Sequence, residues 1–303
     1  MPGVIGTGSH PKAVWPGVRD WFGFSYGEHD EEYRDLFNVE TSDQAYEEQV
    51  MSSGFPLAQV KQEGNPIAFA STAQVYTARL TNVPYALGWI ISYEQLKDNK
   101  YPKLAMSFTA SLANSMRQTK ENVCANVYNR AFNTSYVGGD GVVLCATTHP
   151  SAAGNWSNLL SPAADLSEAA LEDMLIQIAG ALDHNGLRIK LMAESLHLPR
   201  QLWFEANRIL KSTLQNDTAN NATNVLRVTG EFPKGIKLNH FFTDTDAFFA
   251  RTNCPNGMVM YQRDRIELMK YEEWDTMNSK AASYDRYVPG WIDPRSVYGS
   301  SGA

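Results

Sequence analysis

The stretch FPLAQVKQEGNPIAFASTAQVYTARLTNVPY, Phe55 to Tyr85, governs how the rest of the chain is read. A strand-like run, the turn signal EGNP and a second run rich in Val, Thr, Tyr and Ala predict a long β-hairpin. The second limb could reach twice the usual strand length of about 5–6 residues. Neither of its alternating faces, Val75/Thr77/Arg79 or Gln74/Tyr76/Ala78, is cleanly apolar. A hairpin without an apolar face needs a partner elsewhere.

On its amino-terminal side, Pro, Gly and aromatics alternate in VWPGVRDWFGFSYG before the acidic EHDEEYRDLFNVETSDQAYEEQV. This segment has apolar anchors but too little periodicity for a core of its own, and is expected to lie along another surface as an arm. On the other side the period becomes helical from Tyr101 to Phe132, with Leu104, Phe108, Leu112, Met116, Val123, Val127 and Ala131 on one stripe. A continuous helix there would be about 45 Å long. YVGGDG breaks it, and VVLCATTHP reads as a short buried strand ending in a turn.

A second helix is signalled by Ser167 as its cap, by Glu168, Glu172 and Asp173 in its first turns, and by the stripe Leu171, Leu175, Ile178, Leu182. HNG, residues 184–186, is expected to end it. A third runs from Pro199 to Ser212 with Leu202, Trp203, Ala206, Ile209 and Leu210 inward. LRIKLMAESLHL between them reads as strand, and so does most of the chain after the loop NDTANNATN: DAFFART, GMVMYQRDRIELMKY, AASYDRYV and WIDPRSVY. The expected class is α+β.

With 303 residues, 43% hydrophobic and 19% charged, the chain is expected to be globular, neither disordered nor membrane-embedded. Its longest apolar runs, such as PYALGWII, fall far short of the ~20 residues that cross a bilayer. The amino terminus has neither the basic nor the apolar region of a signal peptide, so synthesis in the cytoplasm is expected. Cys124, Cys145 and Cys254 are odd in number and far apart, which suits reduced thiols. The N-x-S/T triplets at Asn133, Asn155 and Asn221 would matter only in a secretory pathway. A net charge of −7 does not suit a surface that grips nucleic acid strongly, though it suits one lying beside packed nucleic acid without sticking.

Within DGVVLCATTHP, Cys145 and His149 stand four apart and could form a nucleophile and its base. That chemistry needs an activating environment and a third group orienting the base. On a strand, Cys145 is more simply a small core residue. His10, His29, His149, His184, His197 and His240 show no metal-ligand spacing, so a metal site would have to assemble from afar. EHDEEYRD lacks the Gly and the Glu of a calcium loop, and GGDG is too short to cradle phosphate. The aromatics have no interleaved Lys and Arg, unlike a platform for single strands. No catalytic, cofactor-binding or metal-binding residue is expected.

The order of elements, with GFPLAQVKQEGNPIAF, TKENVCANVYNRAFN, DGVVLCATTHP, LPRQLWFEANRILKS, DAFFARTNCPNGMVMYQRDRIELMKYEEWDTMN and YDRYVPGWIDPRSVYGS, resembles the major capsid proteins of tailed bacteriophages with the Hong Kong 97-type fold. Within that family the chain looks most like the Mu-like major head subunit group. The resemblance implies an N-terminal arm over residues 1–50, an E-loop hairpin over 51–85 and a peripheral domain with the spine helix over 86–142. It implies further an axial domain over 143–272 and peripheral return strands over 273–303.

The function so implied is a head protein that self-assembles, as hexamers and pentamers, into an icosahedral shell around double-stranded DNA. Implied partners are copies of itself, a separate scaffold protein, a portal, the packaged DNA held non-specifically on the inner face, and optionally a decoration or cement protein. No membrane is implied. The location would be the virion head, assembled in the bacterial host cytoplasm. Some family members crosslink a hairpin lysine to a neighbour; Lys61 is placed in the hairpin, but nothing identifies its partner, and crosslinking is not expected. The alternatives are an encapsulin-like compartment shell and, in another class, a cysteine hydrolase using Cys145 and His149.

Overall fold

The computed structural model describes residues 15–28, 30–92, 94, 101–215, 222–272 and 278–302. Two four-stranded sheets, a two-stranded ribbon and one long helix organise the chain, and helices and sheets mix as the α+β expectation requires. The first sheet has the order β1-β8-β9-β4, from Asn38–Thr41, Met258–Glu272, Ser279–Trp291 and Val83–Ile91. β8 and β9 form one antiparallel hairpin from Met258↔Trp291 to Glu272↔Ser279, slipping in register on either side of Asp264. β1 joins β8 in parallel and β4 joins β9 antiparallel. The boundary expected after residue 272 would fall between the two limbs of this hairpin, which pair along their length and belong to one sheet.

The long helix α3, Tyr101–Asn129, spans 29 residues. It packs on β4 and β9, and the arm helix α1, Trp15–Tyr26, packs on it in turn. The arm thus gains its order from a surface of its own chain, with Phe22 buried beside Leu112, Ala113 and Met116. The buried face of α3 keeps Leu112 and Met116 of the expected stripe but is wider than it, taking in Thr109, Ala113, Lys120, Glu121, Cys124 and Tyr128, whereas Phe108 is exposed. Leu104 lies outside the described side chains.

The second sheet has the order β10-β7-β5-β6, from Val297–Ser300, Phe248–Thr252, Ala193–Leu198 and Ile236–Leu238. β7 and β10 are buried at every position, as strands covered on both faces are. Helices α4 (Glu168–Ala179), α5 (Trp203–Lys211) and α6 (Val225–Thr229) share its core, where Leu171, Met174, Ile178, Leu196, Ile209, Leu226 and Phe248 meet. Ser167 caps α4 as expected, its Oγ accepting from Ala170 N at 3.2 Å. The helix stops at Gly180 rather than at HNG. His184–Gly186 instead turn the chain inside the Leu182–Arg188 bridge, with Asp183 Oδ1 accepting from Asn185 N and Leu187 N.

The run VVLCATTHP is buried over Val143–Ala146 but joins no sheet. Its backbone is satisfied by scattered main-chain bonds, such as Cys145 N to Ala131 O at 2.9 Å, and by one side chain. Asn158 Oδ1 accepts from Ala146 N at 2.8 Å, and Asn158 Nδ2 lies 2.7, 3.0 and 2.9 Å from the carbonyls of Leu144, Pro294 and Val297. Main-chain bonds from Asn158 N to Ala146 O and from Gly299 N to Asn158 O complete the joint. Removing this amide would leave several buried backbone groups without partners, so Asn158→Ala is expected to cost about 3–5 kcal/mol in denaturant unfolding. A loss within 1 kcal/mol, roughly that of an ordinary surface change, would contradict this account.

Candidate functional site: the bare hairpin tip and the Cys145–His149 segment

β2, Tyr46–Ser52, and β3, Gln74–Thr81, pair antiparallel from Tyr46↔Thr81 to Ser52↔Gln74. The first limb therefore lies before the FPLAQVKQ run, which carries no ladder. Pro56 and Pro66 lack backbone donors, which removes ladder bonds from both limbs of the tip. Residues 53–73 run out as an open loop turning at Glu63–Gly64.

The root of the hairpin is not free of apolar contact with its own domain, contrary to the expectation from its mixed faces. Ala78 is buried with Val259, Tyr261 and Ile292, and Met51, Leu80 and Val288 pack around them. Tyr76 Oη donates to Ile292 O at 2.9 Å, Gln49 Nε2 to Tyr261 Oη at 2.7 Å, and Asn185 Nδ2 to Ser53 O at 2.7 Å. The GGDG turn supplies the seat, because a Cβ on Gly139 would stand 2.8 Å from Ala78 Cα and 2.9 Å from Thr77 O. Only glycine lets the backbones approach so closely.

Beyond the root the tip is bare. Phe55, Leu57, Val60, Ile67 and Phe69 are exposed, Val60 and Phe69 at 95%. The two limbs stand apart around a gap of about 630 Å³ lined by Phe55, Leu57, Ala58, Ala68 and Phe69. Burying a side chain of this kind stabilises by about 1.5–3 kcal/mol. Five on one loop make a surface shaped for a partner. Lys61 is exposed at the same tip.

The Cys145–His149 segment is built differently. Cys145 is buried, burial alone pushes its thiol well above the usual cysteine range, and its Sγ lies 3.1 Å from where a Cβ on Gly299 would be. His149 is fully buried, its Nδ1 lying 2.7 Å from Asp140 Oδ2 and its Nε2 3.0 Å from Asn158 Oδ1. Both ring nitrogens are thus engaged by side chains other than Cys145. The ring stacks on Trp156 at 4.6 Å, and the Arg295 guanidinium lies over the Trp156 ring at 4.5 Å. This is a packed polar joint, not a nucleophile with its base.

The remaining candidates also serve the fold. In the acidic run, Glu31 pairs with Arg34, Asp35 with Lys237 at 3.0 Å, and Glu32 accepts from both His240 N and His240 Nδ1. His197 is buried against Ser195 Oγ at 2.8 Å, and burial pushes it down to about 3. His184 meets Arg295 at 3.1 Å, while His10 and His29 lie outside the described residues. Among the described residues no group of His, Cys, Asp and Glu could hold a metal ion, and no helix is long and apolar enough to cross a membrane.

Sequence reading missed a polar lock within α3. Lys120 Nζ lies 2.5 Å from Gln262 Oε1 and 3.2 Å from Asp285 Oδ2, between the rings of Tyr33 and Tyr287. Beside it Glu121 Oε2 accepts from Tyr33 N, at the start of α2 (Tyr33–Leu36), at 3.0 Å, while its Oε1 has no partner. Desolvation, then the nearby charge of Glu32, pushes this carboxyl up to about 7.

This arrangement of arm, hairpin, long helix and two sheets is the Hong Kong 97-type capsid fold, an architecture of shell-forming proteins. A family model described as phage capsid protein matches residues 75–300, and the chain belongs to that family. It is a capsid shell protein, a component of the virion head. Among solved structures it is similar to a chain of Mycobacterium phage Adephagia, at 10% identity and TM-score 0.55, covering 91% of each chain. It is similar also to the capsid of a native GTA particle, at 12% identity and TM-score 0.55, again over 91% of each chain. A virus-like particle from Pyrococcus furiosus is similar at 9% identity and TM-score 0.54, over 94% of this chain and 98% of that one. No curated protein matches.

Two outcomes are expected. Cys124 and Cys145 should resist a thiol-reactive probe until the protein unfolds, and Cys145→Ala should cost only about 1–2 kcal/mol and leave assembly intact. Rapid labelling of Cys145 in the native state would contradict its place in the core. Glu121 has a folded value above its ordinary 4.5, so its contribution is fully present below pH 4.5 and is lost as pH rises through about 7. Glu121→Gln should therefore match wild type in thermal unfolding at pH 4 and exceed it by about 1–2 kcal/mol at pH 8. Equal stability at both pH values would contradict the burial of an ionising carboxyl.

Proposed function

We propose that the chain is the major head protein of a tailed phage or prophage of the Mu-like group, building an icosahedral shell of hexamers and pentamers around double-stranded DNA. The observation that carries this reading is the hairpin: a root anchored in the subunit and a tip whose large apolar side chains stand exposed. The family match supports the shell, and the order of the sequence motifs supports the subgroup.

In this reading the hairpin tip and the arm, whose Trp21 and Phe24 are exposed, meet neighbouring subunits. The first sheet with α3 forms the peripheral part and the second sheet with α4 to α6 the axial part. A scaffold protein made separately guides assembly, a portal occupies one vertex, and a decoration or cement protein is an optional addition. The net charge of −7 keeps the inner wall from binding the packaged DNA tightly. Synthesis and assembly take place in the host cytoplasm. The subunit performs no catalysis, since the one nucleophile–base pair suggested by spacing is consumed in the Asp140–His149–Asn158 joint.

A second reading, less favoured by the phage capsid family match, is a compartment shell of the encapsulin kind. Neighbouring portal and terminase genes would separate it from the phage reading.

Electron microscopy of the chain expressed with its scaffold should reveal closed shells, and persistent monomers under all such conditions would overturn the reading. The hairpin's part is tested by replacing Phe55 to Ser71 with a short Gly/Ser linker. This keeps Ser53, Ala73 and the buried Ala78. Circular dichroism and thermal unfolding should stay close to wild type, whereas sedimentation should find no shells. Closed shells from the variant would mean that the tip is not the brace between subunits.

A further inference from the structure

The second sheet carries helices of opposite character at its two ends. α4 packs beside β10 and α5 beside β6, the outer strands, and both turn their inner faces to one core. Their outer faces therefore point away from a common centre. From Asp165 through α4 there are four acidic residues, Asp165, Glu168, Glu172 and Asp173, and no Lys or Arg. The exposed stripe is Ala169, Glu172, Asp173 and Ile176, at helical spacing, and Ile176 is 69% exposed. At the other end Arg200, Arg208, Lys211 and Arg227 are exposed, against Glu205 and Glu231, and Glu205 is already paired with Arg208 at 2.6 Å. Phe204 stands 76% exposed on the same stripe as Arg208 and Lys211, with Val228 nearby on α6 at 71%.

We propose that copies of this chain dock head to tail through these ends, α4 of one copy lying antiparallel on α5 of the next. The proposal rests on the reading of the chain as a self-assembling shell subunit. The two stripes match in register as well as in sign. Setting Ile176 opposite Phe204 in an antiparallel pair brings Glu172 opposite Arg208 and Glu168 to within one residue of Lys211. Apolar meets apolar and acid meets base along two turns, whereas a parallel pairing on the same anchor would leave Arg208 beyond Ile176, away from the acids. Because the two surfaces differ, the contact is heterologous and passes from copy to copy, closing into a ring where the rotation allows. Its charged half also makes assembly sensitive to salt.

The test uses the full chain under conditions in which wild type forms shells. Ile176→Cys and Phe204→Cys together, once oxidised in assembled shells, should give a ladder of covalently joined chains on a denaturing gel. Neither single variant should do so. Independently, Glu172→Lys and Arg208→Glu should each lower shell yield about tenfold, with thermal unfolding unchanged, and the two combined should recover it. Shells without a ladder, undiminished yield from either charge variant, or no recovery in the combination would overturn the head-to-tail contact while leaving the shell reading intact. A wild-type chain that never forms shells would overturn both.

Discussion

One buried amide holds the two halves of this subunit in register. Asn158 bonds to the segment leaving the long helix, at Leu144 and Ala146, and to the segment returning from the β8–β9 hairpin, at Pro294, Val297 and Gly299. Those segments are where the chain passes between its two sheets. No ladder crosses that passage, so a side chain does the work a strand would otherwise do. His149, fixed between Asp140 and Asn158, extends the same joint toward the GGDG turn and hence toward the root of the hairpin. The relative setting of both sheets and the hairpin thus converges on one hydrogen-bonded cluster.

The same cluster explains what sequence could and could not disclose. The Ser167 cap, the stripes of α4 and α5 and the run of closing strands are local patterns, and they were legible because neighbours a few residues apart decide them. The state of VVLCATTHP was not, since its partners come from Asn158 and from residues near 294–299. An apolar run that would pair in a sheet is satisfied here by an amide. The extra width of the buried face of α3 had a similar cause: Lys120 and Glu121 count as solvent-facing by type. They are buried only because Gln262, Asp285 and Tyr33 arrive from distant parts of the chain.

The hairpin divides along the same line. The mixed faces misled about its root, which packs on its own domain, whereas its turn was legible from EGNP. The position of its first limb was not, because the strand β2 lies in a run that reads as acidic arm, and Ala78 becomes a core residue only through the absence of a side chain at Gly139. Root and tip obey different rules. The root follows the subunit's own packing, while the tip keeps its apolar side chains exposed, an arrangement that makes the isolated subunit prone to association. As for Cys145 and His149, spacing alone suggested chemistry, and only the positions of Asp140 and Asn158 reveal that the imidazole is fully spoken for.

The contact of Gly139 with Thr77 and Ala78 has a mechanical meaning. From Ser53 the loop runs out to its turn at Glu63, a reach of at most about 40 Å if fully extended. A loop that long is a lever arm whose fulcrum is its root. Lifting β3 by the width of one methyl group would tilt the whole arm and swing its apolar end sideways by a multiple of that displacement. A missing side chain at position 139 therefore sets the angle at which the hairpin leaves its own sheet.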